Sequence, residues 1–351
     1  MKEEHHVRNH TMRALVTGAS GFVGGALAER LLHEGSTVHL LLRRPGSAGP
    51  LETKGAKCFI GSIEDPNEVL RAAETCEIVF HCAALTHRHT DPKALMWINT
   101  AGSENVLRAA ERAKVTRIVH FSCSDVTLSN RERLHWSEDQ VLDGPPLGAY
   151  ARSKLLGEEI VLAGGSSELE TTALRAGWVW GPGDKTSLPM LVDDAIRGRL
   201  RLVGNGDNLM PLTYIDHLVE LAIRAAHHPC APGRAFHVGD PDFVSAREFF
   251  GGICRTLGLS PPRPTFPYWI EYLKAGVREL CAQPGLRRED IARRGRTCHL
   301  DCGQAFTELD FAAQTGFAEG LEQLGKWVDA MGGTQSLAAI AARTSGNTKQ
   351  H

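Results

Sequence analysis

The chain has 351 residues with 39 basic and 41 acidic side chains, and its formal net charge of −2 leaves no basic excess for binding nucleic acid. No apolar run approaches the ~20 residues that a membrane-spanning helix needs. Residues 1–11 are His-rich and lack the apolar core of a signal peptide, so we expect them to be disordered. The nine cysteines are scattered without a Cys-x-x-Cys pair, which favours a reduced, cytoplasmic protein without a metal site.

Strand and helix patterns alternate through the first half of the chain. Short apolar runs predict strands at 13–17, 37–42, 57–60, 77–82, 116–121 and 171–176. Helical periodicity predicts helices at 22–34, 66–74, 92–113 and 148–164. This alternation is typical of an α/β fold in which a doubly wound parallel sheet carries helices on both faces.

A glycine-rich turn joins the first predicted strand to the first helix. The sequence Thr-Gly-Ala-Ser-Gly-Phe-Val-Gly at 17–24 places glycines at 18, 21 and 24. Glycines let the backbone turn sharply and let a pyrophosphate approach the helix N-terminus, where free N–H groups favour an anion. The strand–turn–helix context predicts a dinucleotide site of the Rossmann type, although the glycine spacing differs from the Gly-x-Gly-x-x-Gly of the dehydrogenase fingerprint.

The end of the second strand indicates which dinucleotide is bound. An acidic residue at this point bonds the ribose 2′-hydroxyl of NAD, whereas an arginine suits the 2′-phosphate of NADP. Leu42 takes the acidic position here, and Arg43 and Arg44 follow it. Because a guanidinium group matches phosphate geometry, we predict NADPH/NADP+ as the cofactor, with NADH less favoured. The alternative for the two arginines is a solvated basic loop.

Tyr150 and Lys154 lie four residues apart in the predicted helix 148–164. Residues at this spacing share one face of a helix, and a nearby ammonium group lowers the pKa of a phenol from its usual value of about 10. Such a pair can act as a general acid and base for a carbonyl and its alcohol. The spacing is also common on solvated helix faces, so this interpretation depends on the rest of the chain.

The regular alternation ends near 181–183, and a proline-rich break follows at 261–267. We predict an NADP-binding domain at 12–180 and a smaller, mainly substrate-binding lobe at 181–330, with segments near 212–240 returning to the first domain. Residues 331–351 are expected to form a flexible tail. The segment 268–282 predicts an amphipathic helix, and its moderate charge favours packing or a lid over a membrane surface.

Together these residues resemble an extended short-chain dehydrogenase/reductase, in the branch of 3β-hydroxysteroid dehydrogenases, dihydroflavonol reductases and bacterial β-keto reductases. The resemblance runs from about residue 12 to residue 327, and the family's motifs occur in order. They are the glycine turn, the strand segment 79–84, the helix segment 99–106, the Tyr150 and Lys154 pair, the segment 174–183, the later strands 214–217 and 236–239, and the C-terminal pattern at 301–309, 316–317 and 327.

The resemblance implies roles for individual residues. Tyr150 and Lys154 correspond to the catalytic pair and Asn99 to a residue that anchors a proton-relaying water, and Ser124 is the candidate for the hydroxyl that bonds the substrate oxygen. The family also implies a possible homodimer through helices 92–113 and 148–164. Besides the catalytic pair, the implied cofactor contacts are Gly18, Ser20, Gly21, Phe22, Val23, Gly24, Arg43, Arg44, Ser62, Ile63, Cys82, Ala83, Ala84, Ser122, Gly177 and Val179.

The chain departs from the family pattern beside the catalytic pair. Two hydroxyl residues usually end the strand before the tyrosine, and the second of them aligns with Cys123. A thiol is a poor hydrogen-bond donor, so either Ser124 or Ser122 takes over its role. The other departures are Ala176-Gly177 in place of a proline, His217 in place of an asparagine, and Ser62 in place of an aspartate near the adenine.

The expected reaction interconverts a ketone and a secondary alcohol by hydride transfer on a hydrophobic substrate, such as a sterol, a β-keto acid or a flavonoid-like ring. The arginine with which sugar-nucleotide enzymes of this fold hold a diphosphate is absent, and Asn-Leu-Met-Pro stands at 208–211. Arg88 is a candidate for binding a substrate carboxylate. The candidates for an apolar pocket are Trp178, Trp180, Leu188, Met190, Leu209, Met210 and Trp269.

Two alternative functions stay open at this point. A nucleotide-sugar epimerase or dehydratase would retain its NAD(P) and show no net redox change, so it would turn over a UDP-sugar without added cofactor. A non-catalytic NADP(H)-sensing protein would bind the cofactor without turnover, although the regulatory members of the superfamily commonly lack the Tyr/Lys pair.

Overall fold

A computed structural model describes the backbone at 11–86, 91–141, 144–283 and 285–347, and side chains as far as residue 343. The disorder predicted for 1–11 therefore lies outside the described residues, apart from Thr11. Arg88, the candidate for a substrate carboxylate, also lies outside them.

A seven-stranded parallel sheet forms the centre of the molecule, in the order β10-β7-β5-β4-β1-β2-β3. Two short parallel pairs, β6 with β11 and β8 with β9, lie outside it. The strands in chain order are β1 (Arg13–Thr17), β2 (Thr37–Leu42), β3 (Lys57–Ile60), β4 (Ile78–His81), β5 (Arg117–Cys123), β6 (Arg133–Trp136), β7 (Glu170–Ala176), β8 (Trp178–Trp180), β9 (Leu212–Tyr214), β10 (Arg234–Val238) and β11 (Cys298–Leu300).

Helices cover both faces of the sheet and build the second lobe. A π-helix, Trp97–Ala101, separates α4 from α5, and a 3₁₀ turn, Ser124–Thr127, follows β5. The α-helices are α1 (Phe22–His33), α2 (Pro50–Thr53), α3 (Pro66–Ala73), α4 (Pro92–Met96), α5 (Gly102–Ala113), α6 (Ala149–Ala163), α7 (Ser187–Ile196), α8 (Ile215–His227), α9 (Ala246–Thr256), α10 (Tyr268–Leu280), α11 (Arg288–Gly295), α12 (Gly303–Glu308), α13 (Phe317–Ala330) and α14 (Gly333–Asn347).

The two faces of the sheet bury separate apolar cores. Helices α1 and α8 cover one face, with residues such as Leu31 and Leu221 fully buried. Helices α3, α5 and α6 cover the other, where Val106 and Val161 are fully buried. The central strands are apolar on both sides because both of their faces are covered, as expected for a parallel sheet. The predicted Rossmann-type fold is confirmed.

The element boundaries agree closely with the sequence prediction, with one informative exception. The six predicted strands match β1 to β5 and β7, with ends that shift by two residues at most. The helix predicted at 92–113 is instead interrupted by the π-helix at 97–101. A π-turn inside an α-helix often marks a functional site, and this one contains Asn99.

The second lobe has its own apolar core. Trp180, Tyr214 and Phe249 are buried in it together with Leu337 near the C-terminus. The chain nevertheless comes back to the main sheet, since β10 pairs with β7 at the sheet edge. No helix in the described part of the chain is long and apolar enough to cross a membrane.

The flexible tail predicted for 331–351 is corrected over most of its length. Residues 333–347 form α14, which packs against α7 and α13. Leu337 is fully buried in the lobe core and Ala341 is buried beside it. The small side chains that suggested a frayed end instead let α14 lie close to its neighbours.

We predict that Leu337→Ala lowers the free energy of unfolding by about 2–5 kcal/mol, because it leaves a cavity in the lobe core. Gln335→Ala, at an exposed position of the same helix, is the matched control and should change it by less than about 0.5 kcal/mol. Urea denaturation measures both. Equal stabilities for the two variants would show that α14 does not pack in solution.

Candidate active site

The glycine turn brings the end of β1 against the loop that follows β4. Gly18 has a φ of +76°, and a Cβ there would lie 2.7 Å from the backbone nitrogen of Ala83. A Cβ on Gly24 would lie 2.6 Å from the Gly18 oxygen. Both positions therefore require glycine, Gly18 for its backbone angle and both for their close contacts.

The start of α1 is suited to an anion. Gly21 is its N-cap residue, no side chain caps the helix, and its first turn holds no acidic residue. The free N–H groups of this turn, which includes Phe22 and Val23, thus remain available for a phosphate. These features fit the pyrophosphate of a dinucleotide, with Ser20 in the same turn.

A chain of hydrogen bonds beneath the turn fixes the protonation of His81. The N–H of Ala83 donates to Thr17 Oγ1 (3.2 Å), and Thr17 Oγ1 lies 2.9 Å from His81 Nδ1. His81 Nε2 lies 3.2 Å from Ser103 Oγ, which donates to the Asn99 carbonyl oxygen (2.8 Å). Because the Ser103 hydroxyl donates to the Asn99 oxygen, His81 Nε2 carries a proton, and a neutral ring then accepts from Thr17 at Nδ1. Burial and the Lys154 charge lower the pKa of His81 to about 3, which agrees with that assignment.

Tyr150 and Lys154 both lie buried on α6, one turn apart, near the carboxyl end of β5. Lys154 Nζ donates a hydrogen bond of 2.7 Å to the carbonyl oxygen of Phe121. Burial lowers the pKa of the Lys154 ammonium, while Cys123, Glu158 and Cys82 raise it. The ammonium is thus held in place by the backbone of the strand that ends beside it.

Two contacts hold α6 against its surroundings. A Cβ at Gly157 would overlap the Asn99 carbonyl oxygen, so only glycine permits this approach of α6 to the π-helix. One turn after Lys154, the buried Glu158 receives hydrogen bonds from both Nε and Nη2 of Arg175 on β7. A paired, hydrogen-bonded carboxylate is tolerated at this depth because its charge is compensated.

The side chain of Asn99 links the catalytic helix to the loop after β4. Its Oδ1 accepts the Leu85 N–H (2.7 Å), and its Nδ2 donates to the Leu85 oxygen (3.1 Å) and to Ser153 Oγ (2.9 Å). Ser153 in turn donates to the Tyr150 carbonyl oxygen (2.8 Å). Both amide protons of Asn99 are therefore used in holding the Leu85 loop and the Tyr150 segment, and its predicted role in anchoring a water stays a prediction.

The hydroxyl and thiol residues beside the pair follow one another at the end of β5. Ser122 and Cys123 close the strand, and Ser124 begins the 3₁₀ turn that packs against α6. The Cys123 thiol lies near enough to the Lys154 charge to raise the pKa of the ammonium. Ser122 and Ser124 are both buried, so the choice between them stays a prediction.

The predicted adenosine contacts lie just after strands β2 and β3, which pair with each other beside β1. Thr17 of β1 pairs with Leu41 of β2, and the exposed Arg43 and Arg44 follow directly after β2. Ser62 donates its N–H to Glu68 (2.7 Å), and Ile63 is buried against Gly102 at the start of α5. These residues line the same sheet edge as the glycine turn.

The segment that follows β7 is held in place by strand β9. Gly177 donates its N–H to Thr213 Oγ1 (2.9 Å), and a Cβ there would overlap the Pro211 oxygen. Val179 lies half-buried in β8, and Cys82 and Ala84 lie in the loop after β4. At the sheet edge, Ala176 is paired with Cys123, so this segment begins beside the catalytic strand.

The seven residues predicted to line an apolar pocket do not form one site. Trp180, Leu188 and Met210 belong to the lobe core, where Trp180 packs against Tyr214 and Phe249. Only about 10 Å³ is left beside Trp178 and Trp180. Met190 and Trp269 are exposed to solvent. The seven candidates therefore do not line one pocket, and ordinary core, the interpretation favoured for each residue singly, holds for Trp180, Leu188 and Met210.

The sequence analysis missed three buried residues that hold the Tyr150 and Lys154 helix in position. Thr17, Ser103 and Ser153 are buried hydroxyl residues that link the glycine turn, the π-helix and α6. A signal existed for Ser153, since its position between Tyr150 and Lys154 places it in the same helical turn as the predicted pair. His217, the departure from a usual asparagine, bonds Asp240 (2.9 Å) and accepts the Thr315 N–H (3.0 Å), which are structural contacts.

Comparison with known proteins agrees with this geometry. Residues 14–239 match the family model for the NAD dependent epimerase/dehydratase family. The chain belongs to this family. The resemblance to an extended short-chain dehydrogenase/reductase is thus confirmed.

Several curated relatives carry the names of reductases or dehydrogenases. The chain is 33% identical over 332 residues to a 2-alkyl-3-oxoalkanoate reductase of Stenotrophomonas maltophilia, covering 89% of this chain and 98% of the relative. It is 28% identical over 270 residues to the human sterol-4-alpha-carboxylate 3-dehydrogenase, decarboxylating, covering 75% and 71%. Among solved structures, MoeE5 in complex with UDP-glucuronic acid and NAD is 27% identical, with a TM-score of 0.73 over 91% of this chain and 99% of that chain. The prediction of an NAD(P)-dependent oxidoreductase is confirmed at this level.

We predict that His120, buried beside His81 and Lys154, makes the fold less stable as the pH falls. Burial lowers its pKa well below the usual 6.5, and its ring nitrogens have no hydrogen-bond partner in the described structure. As the pH falls, His120 is protonated in the unfolded chain before it is protonated in the folded one. Its contribution to the free energy of unfolding is therefore fully present above about pH 6.5 and is lost progressively below it. The wild type should lose about 2 kcal/mol more than His120→Phe between about pH 7 and about pH 5.

Urea unfolding of both proteins at the two pH values measures this difference. Phenylalanine keeps the ring and leaves no buried polar atom unpaired, so the variant should fold. Parallel pH dependences in the two proteins would mean that His120 is protonated, or accessible to water, in the folded state.

Proposed function

We propose that the protein is an NADP(H)-dependent oxidoreductase that interconverts a ketone and a secondary alcohol on a hydrophobic substrate. One observation carries this proposal: Tyr150 and Lys154 lie buried one turn apart at the same sheet edge as an uncapped, glycine-rich helix N-terminus. Ligands bind at this edge in open parallel sheets. A dinucleotide held by the turn would extend toward the Tyr/Lys pair.

The bound dinucleotide would supply the hydride, and the chain's own residues would handle the proton. Tyr150 gives its phenolic proton to the oxygen of the ketone as it becomes an alcohol, and takes it back in the reverse direction. Lys154 has one of its three donors on the Phe121 oxygen and offers the other two to ribose hydroxyls. Its positive charge favours the phenolate of Tyr150.

The substrate oxygen needs a second hydrogen-bond donor, and we assign it to Ser124. This residue begins the turn that packs against α6, and its hydroxyl is a better donor than the neighbouring Cys123 thiol. Asn99 and Ser153 keep the Tyr150 segment in position through the backbone oxygen of Tyr150. Positioning of this kind lowers the entropic cost of reaching the reactive geometry.

The substrate class is supported by the relatives and by the absence of a diphosphate-binding arginine. One curated relative is named for a 2-alkyl-3-oxoalkanoate, another for a sterol carboxylate, and a third for a farnesylated quinoline oxide. All three names describe hydrophobic ketones or alcohols. Met210 is buried in the segment 208–211, where the sugar-nucleotide enzymes usually carry the arginine.

We predict that Tyr150→Phe lowers kcat by about 10²–10⁴-fold because the general acid is lost. The dissociation constant for NADPH should stay within about twofold, since the substitution removes a single hydroxyl that the cofactor does not need. Tyr272→Phe, in α10 of the second lobe, is the matched control and should keep full activity. The assay follows NADPH absorbance against a panel of sterol ketones, 2-alkyl-3-oxo acids and flavonoid ketones.

A fully active Tyr150→Phe protein would contradict the acid/base role. Turnover of UDP-glucose by the wild type without added cofactor would instead support an epimerase. NADPH binding with no oxidation across the whole panel would support a sensing protein.

We predict that Arg43→Ala weakens NADPH binding by about 10–100-fold, because a charge-assisted hydrogen bond to the 2′-phosphate is lost. NADH binding should change by less than about twofold, because that cofactor has no phosphate at this position. Arg71→Ala, at an exposed position of α3, is the control. Fluorescence titration with each cofactor makes the comparison, and equal losses for the two cofactors would refute the preference for NADP(H).

A further inference from the structure

Helix α10 presents an apolar face to solvent. Its exposed residues are all apolar: Trp269, Leu273, Val277 and Leu280. Trp269 keeps 67% of its surface accessible, Leu273 63% and Leu280 89%. Ordinary surface helices show the reverse pattern, with polar residues outward.

The exposed residues form one continuous stripe. At 100° per residue, positions 269, 273, 277 and 280 fall within a sector about 80° wide. Ala275, the one buried residue of α10, lies on the opposite side, where it packs with Val203 and Ile291. Phe266, just before the helix, is also exposed and extends the stripe. The helix therefore packs on the lobe through the face that contains Ala275, and its opposite, apolar face is exposed to solvent.

The surroundings of the stripe are basic. Residues 263–296 contain eight arginines and lysines but four acidic residues, in a chain whose net charge is −2. Arg263 precedes α10 and Arg287 follows it, and both are exposed. The backbone of Arg263 is bridged to that of Arg201. The Lys274 ammonium lies 3.7 Å from the centre of the Phe266 ring. An apolar stripe with basic flanks matches the surface of an anionic lipid bilayer, with apolar side chains among the acyl chains and cations among the headgroups.

This face is one helix away from the catalytic residues. Helix α10 packs on α11, and α11 touches both segments that carry the site. A Cβ at Gly148, the residue before α6, would overlap the Glu289 carboxylate of α11. Arg293 of α11 lies 3.7 Å from Asp125, the residue after Ser124.

We infer that α10 docks this protein on the surface of an anionic lipid bilayer. The apolar stripe enters the headgroup boundary, and the exposed flanking arginines, Arg263 and Arg287, bind lipid phosphates. Docking places the α11 side of the active site near the bilayer, from which a hydrophobic substrate partitions; this last step rests on the proposed function, whereas docking itself does not. This inference reverses the sequence interpretation of 268–282, which favoured packing or a lid over a membrane surface.

Vesicle sedimentation tests the docking without any substrate. The full-length protein is mixed with phosphatidylcholine vesicles containing about 30% phosphatidylglycerol, and with phosphatidylcholine vesicles alone. We expect binding to the anionic vesicles that falls as salt is raised, because the charged part of the attraction is screened. Trp269→Glu and Leu273→Glu should each weaken it by at least about tenfold. Phe306→Glu, at an equally exposed aromatic on α12, should leave it unchanged.

The remaining outcomes overturn the inference. Absence of binding to both kinds of vesicle would do so, as would equal effects of Leu273→Glu and Phe306→Glu. Sedimentation of the protein alone tests whether a second copy of the chain covers this face instead. That would be the conclusion if the wild type is a dimer, Leu273→Glu is a monomer, and neither binds vesicles. The Leu273→Glu protein should catalyse the reduction of a short, water-soluble ketone at the wild-type rate. Activity on this ketone therefore tests the proposed oxidoreductase function separately from docking.

Discussion

The site depends on the close approach of α6 to the π-helical turn at Asn99. Gly157 has no side chain, so the Asn99 carbonyl oxygen can come into contact with the backbone of α6. Any larger residue would push the helix outward and move Tyr150 and Lys154 away from the sheet edge. The Glu158 ion pair with Arg175 and the Lys154 bond to the Phe121 oxygen then fix the helix against two strands. The reactive groups are thus positioned by backbone contacts as much as by side chains.

The sequence predicted the main sheet well because local signals and tertiary packing agree there. The glycines at 18, 21 and 24 could be placed from their spacing, and the structure shows the steric reason for two of them. The doubly wound parallel sheet could be predicted from the alternation of apolar runs with helices, whereas its strand order was not predicted. The Tyr/Lys pair could be located from the helical spacing once the glycine turn was recognised.

Other features could not be predicted because they arise from long-range packing. The π-helix at 97–101 packs against Gly157, more than 50 residues away, and it has no local sequence signature. Asn99 bonds Ser153 across a similar separation in sequence, a contact that no local pattern announces. The tail 333–347 looked frayed since its residues are small, yet that is what lets Leu337 reach the lobe core. The supposed pocket residues divide between that core and the surface.

The second lobe combines a filled aromatic core with an uncovered apolar helix. The core around Trp180 and Phe249 leaves almost no free volume. Helix α11 connects this lobe to the site, because Glu289 lies against Gly148 before α6 and Arg293 lies 3.7 Å from Asp125 after Ser124.

The central claim is that this chain transfers hydride from a nicotinamide cofactor to a ketone with net redox change. The most direct measurement uses NADPH carrying deuterium at the transferable C4 position and analyses the product by mass spectrometry. The account predicts one deuterium on the new carbinol carbon of the product and one NADP+ formed for each alcohol. Turnover that leaves the label on the cofactor, with no NADP+ accumulating, would contradict it.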